Sequence, residues 1–317
     1  MTAILVVGSL AYDEVQTPFA RRRDLLGGAA AYFSLAAALY APVRLVGVVG
    51  GDFREADLER LARRGVDLAG LERRAGRSFR WFGRYAYDLS AAETLNTDLG
   101  VFAGWRPAIP EAFADSDVVF LANSDPRIQL ETLRQVTRPR LVALDTMNFW
   151  IDHQRAALAD VMARVDLVSI NEAEARQFCR TFSLIRAARE ILALGPRALV
   201  VKRGEHGAVL FTGEHSFWTP AFPLEKIQDP TGAGDAFAGG LLGHLARAER
   251  IDDQELRRAV VHGSVCASFA VEEFSVDGVE GMTRGAAVER YRKLRECVTI
   301  GAEAVADADP FAAAGTG

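Results

Sequence analysis

The sequence predicts an α/β protein of three layers, in which helices cover both faces of a mostly parallel central sheet and a small β segment is added. Two patterns predict this architecture. Short apolar runs alternate with helical patterns along most of the 317 residues, and one segment near residue 80 alternates polar and apolar side chains instead. The composition, 50% hydrophobic and 25% charged, is ordinary for a globular chain. The length allows one large domain or two smaller ones, and we expect the first, over residues 1–300.

The strand candidates are short apolar runs, which suit strands that are buried on both faces. They lie at residues 3–8, 43–49, 118–121, 141–144, 167–170, 198–201 and 208–211. Helix candidates lie between and after them, at residues 29–40, 54–64, 127–136, 153–163, 171–179, 184–193, 233–248, 253–270 and 284–297. Residues 301–317 are rich in Ala, Gly and Asp, which predicts a disordered tail.

The segment at residues 78–89 has the period of a two-faced strand. Trp81, Tyr85, Tyr87 and Leu89 fall on one parity, and Arg80 falls on the other with further charged residues. A strand of this kind inside an α/β pattern predicts a small β appendage.

Charge and cysteine usage limit the partners and the compartment. The net charge of −5 argues against nucleic acid as a partner, because binding to phosphate backbones needs a basic surface. The one tight basic cluster, at residues 21–23, predicts a solvated loop. The three cysteines are far apart and form no CxxC pair, which fits reduced thiols in the cytoplasm. No stretch approaches the length of a membrane span, so we expect no membrane partner.

Residues 229–235, Asp-Pro-Thr-Gly-Ala-Gly-Asp, carry the strongest chemical signal. Their glycines permit a tight turn, and the apolar spacing that follows predicts a helix beginning there. A glycine turn at a helix N-terminus presents free N–H groups and the positive end of the dipole to an anion such as a transferring phosphoryl group. Asp235, in the first turn, can accept a proton from an incoming hydroxyl. The alternative is that Asp235 only caps the helix or balances its dipole.

Two further motifs follow strand candidates. Asn171 and Glu174 combine an amide and a carboxylate that suit a hydrated Mg²⁺, although the same spacing fits a helix capping box and both roles can hold together. In the run Val-Lys-Arg-Gly at residues 201–204, Gly204 lets the backbone approach a ligand closely, or forms a plain hairpin turn. Lys202 either reaches a phosphate or lies in solvent. No P-loop, dinucleotide-binding or nucleophile-elbow motif is present in the sequence.

Over roughly residues 3–297 these motifs together resemble the ribokinase family, also called the PfkB carbohydrate kinases. The resemblance implies a ribokinase-like domain that transfers the γ-phosphoryl group of ATP to a hydroxyl of a sugar or polyol, or, as the alternative, of a nucleoside. It implies that Asp235 is the base and that the amides of Gly232, Ala233 and Gly234 form the anion hole. It also implies that Asn171 and Glu174 position Mg²⁺ through water. The alternative from another class of function is a non-catalytic binding protein on this fold. Retention of all these motifs together disfavours that alternative.

The resemblance assigns further residues to the nucleotide, which are Asn171, Glu174, Lys202, Gly204, Thr231 and His262. For His262 a packed or surface histidine is an equal alternative. The family often uses a monovalent cation near the anion hole, and Asp229 and Thr231 can help to form such a site.

The N-terminal half is where the resemblance implies acceptor binding. Asp13 matches a carboxylate that can accept two O–H bonds from a vicinal diol, although it also fits a turn. Gly27 and Gly28 match a pair whose backbone approaches the acceptor. The family often has Asn four positions after the second glycine, where this chain has Tyr32, so we expect the acceptor pocket to differ from a ribose site.

Segments near residues 11–20 and 78–102 match the family's lid. Its aromatic face can cover the acceptor and exclude water, and Arg80 can bind a charged group on the acceptor. Alternatively, the aromatic face packs into the core or forms a homodimer interface.

Four polar side chains follow strand candidates, where α/β folds bind ligands, but turn and cap roles explain each of them individually. They are Asn123, Asp125, Asp145 and Asn148.

Overall fold

The structure is a computed structural model that describes residues 2–213 and 215–299, so the predicted tail at 301–317 lies outside the described residues. The strands are β1 (Ile4–Val7), β2 (Ala11–Gln16), β3 (Arg21–Gly27), β4 (Val43–Gly50), β5 (Val66–Arg74), β6 (Phe79–Tyr85), β7 (Ala92–Asp98), β8 (Val118–Leu121), β9 (Leu141–Asp145), β10 (Leu167–Asn171), β11 (Ala198–Lys202), β12 (Ala208–Thr212) and β13 (His215–Thr219).

The helices are α1 (Ala29–Ala37), α2 (Glu55–Arg63), α3 (Glu111–Ala114), α4 (Pro126–Gln135), α5 (Asn148–His153), α6 (Arg155–Met162), α7 (Glu172–Cys179), α8 (Leu184–Leu192), α9 (Ala233–Arg247), α10 (Asp253–Ala270), α11 (Asp277–Glu280) and α12 (Arg284–Val298). Among the described residues, no helix is both long enough and apolar enough to cross a membrane.

The large sheet has nine strands in the order β13-β12-β11-β10-β9-β8-β1-β4-β5. Its neighbours run parallel except at the β11–β12 and β12–β13 pairs. Both faces of such a sheet are covered, so successive residues of β1 enter different cores. Ile4 packs in the core with α1, α9 and α10, whereas Leu5 packs in the core with α4, α6 and α8. The predicted three-layer α/β/α architecture is confirmed.

A second sheet of four strands, in the order β3-β2-β6-β7, forms the predicted β appendage, and we call it the lid sheet. Strands β2 and β6 run parallel with Asp13 opposite Trp81. Because side chains alternate along a strand, Asp13, Trp81 and Tyr85 lie on the same face of this sheet.

Two expectations about this region were wrong. Residues 21–23 do not form a loop, because they begin β3, where Arg21 and Arg23 both pair with Glu14 of the neighbouring strand. Charged side chains are typical of such an edge strand. Tyr87 and Leu89 do not continue the β6 pattern, because the strand ends at Tyr85 and a turn follows in which Leu89 has a φ of 50° and Tyr87 is 82% exposed.

Candidate active site

The glycine turn leads directly into α9, as the sequence predicts. Gly232 is the N-cap of this helix and has left-handed backbone angles, with φ 75°. In the described part of the chain no side chain caps α9, so Asp235 does not act as its cap. The N–H of Ala233 is bonded to the carbonyl of Pro230, and the amides of the first turn beyond it have no intrahelical acceptors. This end of α9 is therefore open to an anion.

A partly buried lysine lies at the same helix end. The Nζ atom of Lys202 is 2.5 Å from Oδ2 of Asp145, and it lies 3.0 Å from the position that a Cβ atom on Gly234 would take. Burial lowers the pKa of Lys202, but the charges of Asp145 and Glu174 raise it by more than burial lowers it, so the pKa is raised overall. Lys202 is therefore a charged ammonium beside the anion hole and not a solvated surface lysine.

Asp235 lies in the first turn of α9 and is partly buried among charged groups. Burial, and after it the charge of Asp145, raise its pKa to about 7, against the lowering effect of Lys202. A carboxylate with this pKa can hold or release a proton near neutral pH, which suits a general base.

Asn171 and Glu174 form a complete capping box at the start of α7. Oδ1 of Asn171 accepts from the N–H of Glu174 at 2.8 Å, and Oε2 of Glu174 accepts from the N–H of Asn171 at 2.9 Å. The predicted structural role is therefore present. Burial raises the pKa of Glu174 to about 7, and the charges of Lys202, Asp145 and Asp235 also act on it, so the capping box adjoins the anion hole.

Asp13 lies on the acceptor side of the same cluster. It is 5% exposed, and a Cβ atom on Gly27 would overlap its carboxylate, so the glycine at position 27 makes room for this side chain. Burial raises the pKa of Asp13 to about 8, with the charges of Asp229 and Asp235 adding to it and the N–H of Gly28 opposing it. The structure thus brings the predicted acceptor carboxylate, the glycine pair and the predicted base together.

Tyr32 is fully buried beneath the glycine turn. A Cβ atom on Gly232 would overlap its ring, so the phenol lies flat against this glycine. Burial raises the pKa of Tyr32 well above the ordinary value, and the charges of Asp229 and Asp13 raise it further. The residue that departs from the family pattern therefore lies against Gly232 and close to Asp229 and Asp13.

Two aromatic residues of the lid sheet lie on the face that carries Asp13. The indole of Trp81 lies over Gly83, where a Cβ atom would overlap the ring, and its Nε1 donates to Oγ1 of Thr94 at 3.2 Å. The hydroxyl of Tyr85 lies 3.1 Å from Oγ1 of Thr231, the residue that precedes the anion-hole glycine. The lid sheet therefore contacts the glycine turn directly.

The structure does not bring Arg80 and His262 into this cluster. Arg80 lies on the opposite face of the lid sheet from Asp13 and forms ion pairs with Asp24 at 2.6 Å and Asp52 at 3.3 Å. Those pairs give Arg80 a structural role in anchoring the lid sheet.

His262 stacks between His244 and Tyr291 and lines a separate cavity of about 590 Å³. Its neighbour His244 lies near the end of α9 opposite the anion hole, so His262 packs with that end of the helix. Gly204 begins a one-turn 3-10 helix after β11 with φ 56°, and the space around its Cβ position is open.

Of the four polar residues that follow strand candidates, Asp125 has the expected cap role, while Asn123 and Asn148 accept other hydrogen bonds. Asp125 caps α4, Asn123 accepts from the indole of Trp150, and Asn148 accepts from the N–H of Phe149. Asp145 is different, because it is 3% exposed and holds Lys202. The sequence placed Asp145 at the correct edge of the sheet but did not reveal its partner.

The fold and the site define a phosphotransferase with an alcohol group as acceptor. The chain matches the description "pfkB family carbohydrate kinase" over residues 1–279, and it belongs to that family. It is 31% identical to the cytidine kinase of Thermococcus kodakarensis over 258 residues, which are 80% of this chain and 92% of that protein.

Solved structures have the same fold. The nucleoside kinase of Methanocaldococcus jannaschii superposes with a TM-score of 0.75 at 22% identity, covering 92% of this chain and 99% of that one. The nucleoside kinase of Burkholderia thailandensis, in a structure titled as a complex with ADP and inosine, has a TM-score of 0.76 at 20% identity, covering 92% and 95%. The resemblance to the ribokinase family and the predicted kinase activity are confirmed. Kinases of this family use ATP and a divalent cation.

Proposed function

We propose that the protein transfers the γ-phosphoryl group of ATP to a hydroxyl of a nucleoside, with Asp235 as the general base. The observation that carries this proposal is the position of Asp235, which lies in the first turn at the open end of α9, near enough to Lys202 and Asp13 for their charges to interact. The acceptor hydroxyl gives its proton to Asp235, its oxygen attacks the γ-phosphorus, and ADP leaves. The amide of Gly234 and the ammonium of Lys202 stabilise the charge on the transferred group.

Mg²⁺ fits the residues at the start of α7. Only Oε2 of Glu174 is used in the capping box, so its Oε1 can accept from a metal-bound water. Across residues 2–213 and 215–299, no three His, Cys, Asp or Glu side chains gather as a direct ligand set, which agrees with an ion held through water. When bound, Mg²⁺ neutralises charge on the phosphate oxygens.

A monovalent cation fits beside Asp229. This residue is 1% exposed, and its Oδ2 atom has no hydrogen-bond partner in the described part of the chain, while Oδ1 accepts from the N–H of Thr231. A buried carboxylate oxygen without a partner is costly unless a cation or water satisfies it. We expect turnover to rise when potassium replaces a large organic cation in the assay buffer, and equal rates in both buffers would contradict the assignment.

Trp81 supports a nucleoside as the acceptor. Its indole lies along the strand over Gly83, on the face that carries Asp13, so a planar base can stack on the ring while Asp13 accepts from ribose hydroxyls. The cytidine and nucleoside kinases among the relatives support the same acceptor class. A sugar or polyol is the second candidate, because the diol contact to Asp13 does not require a base.

An acceptor screen with radiolabelled ATP tests these assignments. We expect transfer to a nucleoside, and loss of that transfer by about 10²- to 10⁴-fold in Asp235→Asn with the fold intact. Activity close to wild type in Asp235→Asn would refute the mechanism. Transfer to sugars alone would select the second candidate. Tight nucleoside binding without any transfer would instead support a non-catalytic binding protein.

Trp81→Ala separates the two acceptor classes. It should raise the KM for a nucleoside by about tenfold and leave the KM for a free sugar unchanged, since stacking on one base is worth ~1–3 kcal/mol. Equal effects on both would contradict the stacking role.

A homodimer through the lid sheet is also proposed. Phe19 and Tyr87, which are 68% and 82% exposed, pack edge to face at 6.1 Å beside this sheet. Sedimentation analysis should give a dimer that Phe19→Ser weakens, and a monomer at all concentrations would contradict the proposal. The domain limits at residues 1–300 and the cytoplasmic location stay predictions.

A further inference from the structure

The strand β6 crosses the acceptor site and is held at both ends. At its start, Oγ of Ser78 accepts from the N–H of Gly50 at 3.0 Å and donates to Asp52 at 2.7 Å. At its far end, Tyr85 meets Thr231 at 3.1 Å. The seven residues of β6 span roughly 20 Å at about 3.3 Å per residue. Asp13 and Trp81 face the acceptor from the middle of this span.

The partner at the far end belongs to the catalytic turn. Thr231 precedes Gly232, the N-cap of α9, and its N–H donates to Oδ1 of Asp229 at 2.9 Å. Its hydroxyl is therefore the part of this residue that points to the lid sheet, while its backbone belongs to the turn that orients the anion-hole amides. Tyr85 is 9% exposed, so this contact is shielded from water.

We propose that Tyr85 is a positioning residue, whose hydroxyl bond to Thr231 couples closure of the lid sheet to the geometry of the anion hole. This inference rests on the proposed function. When the bond forms, β6 closes over the acceptor at both ends, water is excluded and the turn is held with its amides towards the phosphoryl group. When the lid sheet opens for exchange of substrate and product, this bond between Tyr85 and Thr231 breaks.

The mutational test removes one hydroxyl at a time. Tyr85→Phe should lower kcat by about three- to tenfold, as expected for loss of one shielded hydrogen bond, with the KM for ATP changed less than about twofold. Thr231→Val should do the same, and the double variant should be no worse than either single one. Thr231→Ser keeps the hydroxyl and should lower kcat less than Thr231→Val does. Tyr87→Phe, which removes an exposed hydroxyl two residues away, is the matched control and should have no effect.

A second readout separates positioning from a general loss of stability. Because an incompletely closed lid admits water, Tyr85→Phe should increase ATP hydrolysis relative to acceptor phosphorylation, while its melting temperature stays near that of wild type. Hydrogen–deuterium exchange in the free protein should rise both in residues 79–85 and in residues 231–235, and Tyr87→Phe should change neither segment.

Two results would overturn the inference. The first is a double variant whose fold-decrease in kcat equals the product of the two single fold-decreases. That result means independent residues, because the free-energy effects of independent residues add. The second is unchanged exchange in residues 231–235 of Tyr85→Phe. If the wild-type protein transferred no phosphoryl group to any acceptor, the proposed function would fail, and the exchange measurement alone would decide the coupling.

Discussion

Replacing Asp13 by Asn should stabilise the free protein, and increasingly so as the pH rises. The pKa of Asp13 is raised from 3.8 to about 8 by burial and by the charges of Asp229 and Asp235. The folded protein therefore holds this proton more tightly than the unfolded chain does, and stability is lost as the pH rises from about 4 to about 8. At ~1.4 kcal/mol for each pKa unit, the upper limit of this loss is roughly 6 kcal/mol. Asn carries no charge and avoids the loss.

The measurement is the free energy of unfolding in urea at pH 5, 7 and 8.5 for wild type and Asp13→Asn. We expect the variant to be close to wild type at pH 5 and more stable by at least ~2 kcal/mol at pH 8.5, after allowance for imperfect amide contacts. Asp160→Asn, on the exposed side of α6, is the matched control and should follow wild type at every pH. A stability difference that does not grow with pH would refute the reasoning.

Three further substitutions test the parts of the site. Lys202→Met should lower kcat by about 10²- to 10³-fold, as for removal of one transition-state donor, and initial rates at saturating ATP measure it. Asp145→Asn should lower kcat less than Lys202→Met, because it loosens the ammonium without removing it, and a larger effect would mean that Asp145 has a role of its own. Gly232→Ala should destabilise the fold by several kcal/mol in urea, since its Cβ would overlap the Tyr32 ring at a φ of 75°.

The parts of the site that the sequence predicted are those specified by neighbouring residues. The open start of α9, the base in its first turn and the capping box at Asn171 each depend on a few adjacent positions. The central strands were found for a similar reason, because burial on both faces leaves a continuous apolar run such as β8.

The unpredicted strands have no such local signal. In β7 six of seven residues are exposed, and β3 begins with four exposed charged residues. These strands exist because their backbones pair with β6 and β2, and backbone pairing of exposed strands leaves no hydrophobic period to detect.

The pairing of Asp145 with Lys202 was hidden for a different reason. The two residues end β9 and β11, which are separated by β10, so the two side chains together bridge about 10 Å of sheet. Both residues could be placed at the carboxyl edge from the sequence. Their contact depends on the strand order, which the sequence pattern does not give.

The acidic limb of the pH–rate profile should report two carboxyl groups in the free protein. Asp235 must be ionised to accept the hydroxyl proton, and Asp13 must be ionised to accept two hydroxyls, while their pKa values are raised to about 7 and about 8. Because the charge of Asp235 raises the pKa of Asp13, the protons leave in two coupled steps. The logarithm of kcat/KM should therefore rise with pH at a slope approaching two below about pH 7 and level off above about pH 8.

Removal of Asp13 tests this coupling directly. In Asp13→Asn one titrating group and one like charge are lost, so kcat/KM should be lower overall, its limb should have a slope of one, and its midpoint should move to lower pH. Asp160→Asn should keep the wild-type profile. If Asp13→Asn kept both the slope and the midpoint of wild type, Asp13 would not be one of the two groups that titrate in the acidic limb. That result would contradict an acceptor site between Asp13 and Asp235.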